Sequence, residues 1–366
     1  MADSDQLSFT RELLRPEADE RRREVLAGRI EFGSALTSHM VSIDWTADRG
    51  WHGAAVIPYR QITFDPATVG LHYGQVVFEG LKAYRANDGR IAIFRPHAHG
   101  DRFRGSARRL VMPELATAAF VQANAELVRA DADWVPFEAE RSLYLRPLMY
   151  ASEPRLALRP ATSYRLLLMA FVTELFFGAP RAITVWVSTD YTRASPGGTG
   201  AVKYAGNYAA TYPAQLSAVE RGCDQVLWLD PVERSRVEEL GGMNIFFVEK
   251  DGARTRLITP PLGGTILPGV TRDTLLTIAP DVGLEVAERP VTIDEVLAGC
   301  RAGTITEMFA CGTAAQIAPV GTVRSADGDW TIADGQPGPV AAMLGKLLVD
   351  LHRGSTAGRE GWLHYV

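Results

Sequence analysis

Lys203 lies in the stretch GAVKYAGNYAA, among small and apolar residues, whereas almost every other lysine and arginine of the chain has charged or polar neighbours. Desolvation penalises an ammonium and so favours the neutral amine. A neutral lysine amine is what a Schiff base with a carbonyl requires. The same setting also suits a long stem laid along apolar surface with its head in water, so the segment by itself reads either as a covalent catalyst or as a snorkelling side chain.

A catalytic lysine of this kind needs a carbonyl partner, and pyridoxal phosphate is the commonest cofactor that supplies one. That cofactor asks for an acid beside its pyridine nitrogen, so that the ring stays protonated and can act as an electron sink. It also asks for a donor to its ring oxygen, and for backbone N–H groups at a helix start with a cation near its phosphate. The stretch VEELGGMNIFF sets Glu239 at the end of a short acidic run ahead of two glycines and an apolar strand, where it either enters a dry cleft or belongs to a solvated turn. ILPGVTRDTLL runs from strand to Pro-Gly turn to helix, which would leave the N–H groups of Val270 and Thr271 at a helix start. ACGTAAQ, Ala310 to Gln316, is a second loop of small residues whose N–H groups can approach an anion. Tyr208 could supply the phenolic donor, or be an ordinary buried tyrosine.

Taken together these residues resemble the class IV aminotransferases, fold type IV of the pyridoxal phosphate enzymes, and within them the branched-chain amino acid aminotransferases. The family signature is an acid, then Asn-Ile/Leu-Phe/Tyr, a Thr, and Pro-Gly-hydrophobic-x-Arg; here it reads Glu239, Asn244, Ile245, Phe246, Thr259, Pro268, Gly269, Val270 and Arg272. FGSALTSHM, YGQVVFEGLKAY, FRPHAHGDRF, LYLRP, VKYAGNYAAT and GTAAQIAPVG follow the family order, so the resemblance covers nearly everything beyond the first thirty residues. It implies that Lys203 is the Schiff-base lysine and the proton carrier between substrate Cα and cofactor C4′. It further implies that Glu239 pairs with the pyridine nitrogen, Tyr208 with the ring oxygen, and Arg102, Val270, Thr271 and Thr313 with the phosphate. Ala314 and the Gly241-Gly242 turn resemble contacts for the substrate α-carboxylate. Phe32, Phe78 and Tyr144 match the aromatic side-chain pocket, although plain core packing would produce the same residue types. Arg146 matches the arginine for the second carboxylate of glutamate, and Tyr73 a residue contributed by the neighbouring subunit of a homodimer.

The activity so implied is ping-pong transamination of L-leucine, L-isoleucine and L-valine with 2-oxoglutarate. D-amino acid aminotransferase and aminodeoxychorismate lyase share the fold and the lysine. YGQVVFEGLKAY and LYLRP favour the branched-chain group, because they place aromatics where an aliphatic side chain would rest. A metabolite-binding or scaffold protein that kept the fold without the chemistry would not need Lys203, Glu239 and Arg102 together. Two departures stand out: Ala315 and Ala318 occupy the positions of a CxxC pair found in some members, which predicts no redox switch of that kind, and Gly242 replaces a hydroxyl residue of some relatives.

The elements that must position these residues suggest an α+β fold of two domains. GLKAYRANDGRIAIFRP reads as two strands about an Asp88-Gly89 turn. GDRFRGSARRLVM and ATAAFVQANAELVRA read as helices, and SLYLRPLMYA and YRLLLMAFV as strands of an antiparallel sheet. A Gly178-Ala179-Pro180 break then precedes AITVWVS. QVLWLD, MNIFFVEK and RLITP add strands, the last two joined at Asp251-Gly252, and helices are expected near 209–221, 272–278, 293–301 and 340–351. Strands outnumber clean βαβ alternations, which predicts a mixed or barrel-like second domain. The expected division is a tail over 1–30, a small domain over 31–178, a linker over 179–190 and a large cofactor-binding domain over 191–366.

Composition bounds the rest. Hydrophobic residues make up 46% and charged residues 22% of 366, as in globular proteins, and a net charge of −5 gives no basic excess for nucleic acid or an anionic membrane. Three widely spaced cysteines argue for a reducing compartment and against a zinc site. No apolar run is long enough to span a bilayer, and the acidic first dozen residues read as the mobile tail of a cytoplasmic protein. DERRRE reads as a solvated surface segment and HAH, His97 to His99, as an exposed turn rather than a metal site. GQVVFEGLKAY lacks phosphate-loop spacing, and PGGTG is not a dinucleotide fingerprint.

Overall fold

The computed structural model describes residues 6–14, 20–28, 30–174, 181–252, 254–355 and 358–366. They fall into two units. One gathers the described residues up to 174 with Lys203–Ala205 and Val349–Val366, and the other gathers 181–202 and Gly206–Leu348.

The first unit is built on a nine-stranded sheet. Its strands run in the order Thr10–Arg11, Gly50–Pro58, Leu36–Thr46, Ser163–Thr173, Ser142–Ala151, Leu81–Arg85, Ile91–Phe94 and Leu363–Tyr365, with Val76–Phe78 also on Ser142–Ala151. Only the first pair is parallel; the others are antiparallel. The expected hairpin is present, with Gly89 at φ 85° in its turn. Alternation along Ser142–Ala151 sends Leu143, Leu145 and Met149 into the core, where Phe103 and Ala107 of helix Pro96–Arg109 and Phe120, Ala123 and Leu127 of helix Thr117–Ala130 also sit. Tyr144 and Arg146 therefore point from the opposite face.

In the second unit six strands close into a ring: Ile183–Ser188, Gln225–Leu229, Val237–Leu240, Met243–Asp251, Ile305–Gly312 and Gln316–Ser325. Pairing of Val237–Leu240 with Met243–Asp251 closes it, and Ile183–Ser188 is parallel to both of its neighbours while the other pairs are antiparallel. Val185, Leu227, Leu240, Ile245, Phe247, Met308 and Val323 form its core, as the short runs of branched and aromatic residues require. Arg254–Thr259, Glu285–Glu288 and Gly328–Thr331 extend the sheet, and helices Tyr212–Glu220, Val270–Ile278 and Ile293–Ala302 lie near the expected positions.

Several expectations need correction. The first dozen residues are not a loose tail over their described part. Leu7 exchanges two hydrogen bonds with Gln122 at 2.9 and 2.8 Å, Arg11 pairs with Glu126, and the Leu14 N–H donates to His39 Nε2 at 2.9 Å. Residues 20–24 begin helix Glu20–Ala27, which buries none of its residues, so their solvated character holds. His97 and His99 start helix Pro96–Arg109 rather than a turn, and His99 is 2% exposed. The expected 179–190 linker contains strand Ile183–Ser188, and the last 18 residues group with the first unit. The Gly178-Ala179-Pro180 break lies outside the described residues.

Candidate active site

In the first unit, Lys203–Ala205 lies antiparallel beside Val76–Phe78: Tyr204 bridges Val77, the Ala205 N–H donates to Val76 O at 3.2 Å, and the Phe78 N–H donates to Lys203 O at 3.1 Å. On its other side the Lys203 N–H donates to Ser106 Oγ at 3.0 Å. The amine Nζ stands 4.7 Å from the centre of the Phe78 ring. The chain has four lysines, at 82, 203, 250 and 346. Lys82 is the more deeply buried of the two in apolar surroundings, at 3% exposure, and burial pulls its pKa down to about 7. A depressed pKa alone would thus select Lys82, but that side chain is buried, on the sheet face of its strand partner Tyr144, while Lys203 is only partly covered.

An aromatic wall surrounds this region. Tyr144 stacks on Phe171 at 4.9 Å, and Phe32 meets both rings edge-on at 5.1 and 5.0 Å. Tyr144 lies across Gly80, where a Cβ would overlap its hydroxyl, so the close approach requires glycine there. Arg146 is spread over Phe78 and Tyr144, at 5.1 and 5.3 Å from their centres, and its buried Nε has no hydrogen-bond partner among the described residues. A cationic fork with a spare donor in an apolar wall suits a carboxylate. Tyr73 ends helix Val69–Tyr73 and is 50% exposed.

Arg102 is held by Glu79, with Nε and Nη2 donating to the two carboxylate oxygens at 2.8 and 2.5 Å, and His99 Nδ1 lies 3.4 Å from Nη2. Burial alone would raise the Glu79 pKa, but the charge of Arg102 and the hydrogen bonds from His99 and Arg102 outweigh it and hold the carboxyl well below its usual range.

The second unit holds the acid. Val237–Leu240 is a strand with all four residues buried, which removes the solvated-turn reading of Glu239, itself 2% exposed. The strand sends consecutive carboxylates to opposite faces. Glu238 accepts from Thr265 Oγ1, and burial raises its pKa. Glu239 Oε1 accepts from Asn244 Nδ2 and from the Leu267 N–H, both at 3.1 Å, and Oε2 lies 2.5 Å from Arg193 Nε, an ion pair whose N–H is not aligned for a hydrogen bond. Arg193 also donates through Nη2 to the carbonyls of Gly200, at 3.1 Å, and Thr265. Glu239, Arg193, Tyr208, Asn207, Gly242 and Leu267 line one cleft. Its dry carboxylate beside a tyrosine fits a protonated heteroaromatic nitrogen, which is the fit the expected cofactor demands.

Asn244 links this acid to the anion-binding turn. Its Nδ2 also donates to Leu267 O at 2.9 Å, and its Oδ1 fills the space a Cβ on Gly269 would need. Gly269 therefore precedes helix Val270–Ile278 with no side-chain cap, and Val270 and Thr271 occupy the first turn, as expected. Thr313 and Ala314 lie in the turn between Ile305–Gly312 and Gln316–Ser325, with Gln316 at φ 58°.

The strand carrying Glu239 is itself anchored by Asp230, whose carboxylate accepts the N–H groups of Val232, Glu233, Ser235 and Arg236 at 2.7 to 3.2 Å. Burial pushes its pKa up, but the four N–H groups dominate and hold it at about 2. Because the folded value lies below the unfolded one, the stabilisation is present above the ordinary carboxylate range and is lost as pH falls through about 4 toward 2. Asp230→Ala is expected to lower Tm at pH 7 by about 5 °C and to flatten the fall of Tm between pH 4 and 2, measured by thermal unfolding across pH. A slope equal to that of the unsubstituted chain would contradict this.

Each unit thus brings together its own share of the expected residues: Phe32, Phe78, Tyr144, Arg146 and Lys203 in the first, and Tyr208, Glu239 and Gly242 in the second, with Val270 and Thr271 joined to Glu239 through Asn244 and Leu267. Sequence reasoning missed Arg193 and the structural part of Asn244, because an arginine in YTRASPGG carries no local sign of a carboxylate 46 positions away.

Comparison with known proteins agrees with this geometry. Residues 76–323 match the family model of amino-transferase class IV. The chain is 52% identical over 350 residues to a branched-chain-amino-acid aminotransferase of Mycolicibacterium smegmatis, covering 95% of both, and 52% identical over 348 residues to that of Mycobacterium tuberculosis, covering 94% and 95%. Among solved structures it resembles the branched-chain amino acid aminotransferase of Escherichia coli (TM-score 0.71, 27% identity, 90% and 98% covered). It is also similar to that of Thermobaculum terrenum in its PLP-form, the holo-form (TM-score 0.73, 26% identity, 90% and 99% covered). With the class IV model matched over residues 76–323 and 52% identity to these curated relatives over nearly the whole chain, this chain belongs to the class IV aminotransferases and, within them, to the branched-chain-amino-acid aminotransferases.

Proposed function

We infer that this chain uses pyridoxal 5′-phosphate to exchange the amino group of L-leucine, L-isoleucine or L-valine with 2-oxoglutarate, giving the branched-chain 2-oxo acids and L-glutamate. The observation that carries the substrate assignment is the wall of Phe32, Phe78, Tyr144 and Phe171 with Arg146 laid on it. One pocket must take an aliphatic side chain in one half of the cycle and a second carboxylate in the other. An apolar wall carrying one guanidinium, whose buried Nε has no hydrogen-bond partner among the described residues, meets both demands.

When bound, the cofactor supplies an electron sink for the pair released as the substrate Cα–H bond breaks. The Lys203 amine holds and moves that proton, and its place over the Phe78 ring keeps its approach apolar. Glu239, fixed by Asn244, the Leu267 N–H and Arg193, keeps a proton on the pyridine nitrogen. Tyr208 donates to the ring oxygen, while Arg102, the N–H groups of Val270 and Thr271, and Thr313 bind the phosphate. The Gly241-Gly242 turn and Ala314 would contact the substrate α-carboxylate, with the Gly242 N–H as the turn's donor, because the Gly241 N–H already donates to Val226 O at 2.7 Å. We also propose a homodimer, in which the exposed Tyr73 serves the partner's site, and a cytoplasmic location, in keeping with three free cysteines. Among the described residues no helix is long and apolar enough to cross a membrane.

The test is turnover with 2-oxoglutarate and single amino donors. L-Leucine is expected to yield its oxo acid and glutamate in equal amounts, and D-alanine neither. Turnover of D-alanine alone would assign a D-amino acid aminotransferase, and turnover of neither an enzyme of the lyase type.

A further inference from the structure

We propose that Ser106 is a positioning residue for Lys203, holding the lysine backbone so that its amine reaches the reacting atoms. The proposal rests on the reading of Lys203 as the Schiff-base amine. Ser106 lies on helix Pro96–Arg109 and is fully buried. Its hydroxyl donates one turn back to Arg102 O at 3.0 Å, which uses its only proton and leaves its oxygen as an acceptor. The Lys203 N–H fills that acceptor at 3.0 Å, while the Phe78 N–H holds the lysine carbonyl at 3.1 Å. Both backbone groups of Lys203 are therefore clamped, one to a helix and one to a strand.

A second layer fixes the helix to the strand. Glu79, the neighbour of Phe78, takes two hydrogen bonds from Arg102, which is one turn before Ser106. The residues that hold Lys203 thus cannot drift apart without breaking a buried, charge-assisted pair. A long side chain amplifies any tilt of its own backbone, and small misplacement of a reacting group is costly in rate. Ser106 touches neither substrate nor cofactor in this account, so its effect must pass through Lys203.

The test compares two forms of the cofactor on the full-length chain. Pyridoxal 5′-phosphate engages the lysine amine, whereas pyridoxamine 5′-phosphate has no aldehyde and does not. Ser106→Ala is expected to raise the Kd for pyridoxal 5′-phosphate about tenfold and leave that for pyridoxamine 5′-phosphate within about twofold. It is also expected to lower kcat with little change in KM for L-leucine. Ser106→Cys, which keeps the shape but offers a weak acceptor, should fall between, and serves alone if the alanine variant does not fold. Equal changes in both Kd values would mean a merely structural serine, and no change in either would also overturn the proposal. Covalent trapping of the cofactor on Lys203 in the unsubstituted chain separates this failure from failure of the Lys203 reading itself.

Discussion

Lys203→Ala is expected to lower kcat for L-leucine transamination by at least about 10⁴-fold while leaving Tm within a few degrees. The substitution removes the amine proposed to move the α-proton. It leaves intact the groups that hold the segment in place, because the hydrogen bonds to Ser106 and Phe78 are made by the Lys203 backbone. The side chain itself contributes a contact with the Phe78 ring, of modest energy at a partly exposed site. The same substitution at Lys82 should show the reverse pattern. That lysine is buried and its pKa is pulled to about 7, and the family resemblance gives it no catalytic role, so Lys82→Ala should affect stability far more than the form of the cofactor. Near-normal turnover in Lys203→Ala would end the mechanism.

Glu239→Gln is the second large effect, with kcat expected to fall about 10²- to 10³-fold. A glutamine can still accept from Asn244 and the Leu267 N–H, but it carries no charge with which to keep the pyridine nitrogen protonated. It also strands Arg193, whose side chain is 8% exposed and whose ion-pair partner is Glu239, so a loss of about 3 kcal/mol in stability should accompany the loss of rate. The two effects separate in the double variant Glu239→Gln/Arg193→Met. Removing the orphaned charge should restore most of the stability and none of the activity, as read by thermal unfolding and initial rates. Recovery of rate along with stability would show that Glu239 acts by supporting the fold alone.

What could be read ahead of the structure follows from range. Ser142–Ala151 matches its expected strand, and the Asp88-Gly89 hairpin likewise, because hydrophobic runs and turn residues are local signals. Val237–Leu240 was not legible as a strand. VEEL has two carboxylates in four residues, and only its closure between Gln225–Leu229 and Met243–Asp251 makes it a buried strand. Thr10–Arg11 likewise owes its strand character to Ala55 and Val56, far along the chain. His99 reads as polar and exposed until Glu79 and Arg102 are seen around it.

The site divides in the same way. The composition of GAVKYAGNYAA could not tell a catalyst from a snorkelling lysine, and by burial alone Lys82 is the better match. The family resemblance favours Lys203, since VKYAGNYAAT precedes the signature of Glu239 and the Pro-Gly turn in family order. Physical reasons for that signature then emerge from the structure: Asn244 spans from the Glu239 carboxylate to the carbonyl of Leu267, and Gly269 leaves room for it. Ser106 and Arg193 stayed hidden because their partners are 97 and 46 positions away in the chain.

The most direct measurement is borohydride reduction of the protein loaded with pyridoxal 5′-phosphate, followed by mapping of the labelled peptide among the four lysines. One pyridoxyl group per chain on Lys203 is the expected result. A label on Lys82, Lys250 or Lys346, or on none of them, would contradict the account at its centre.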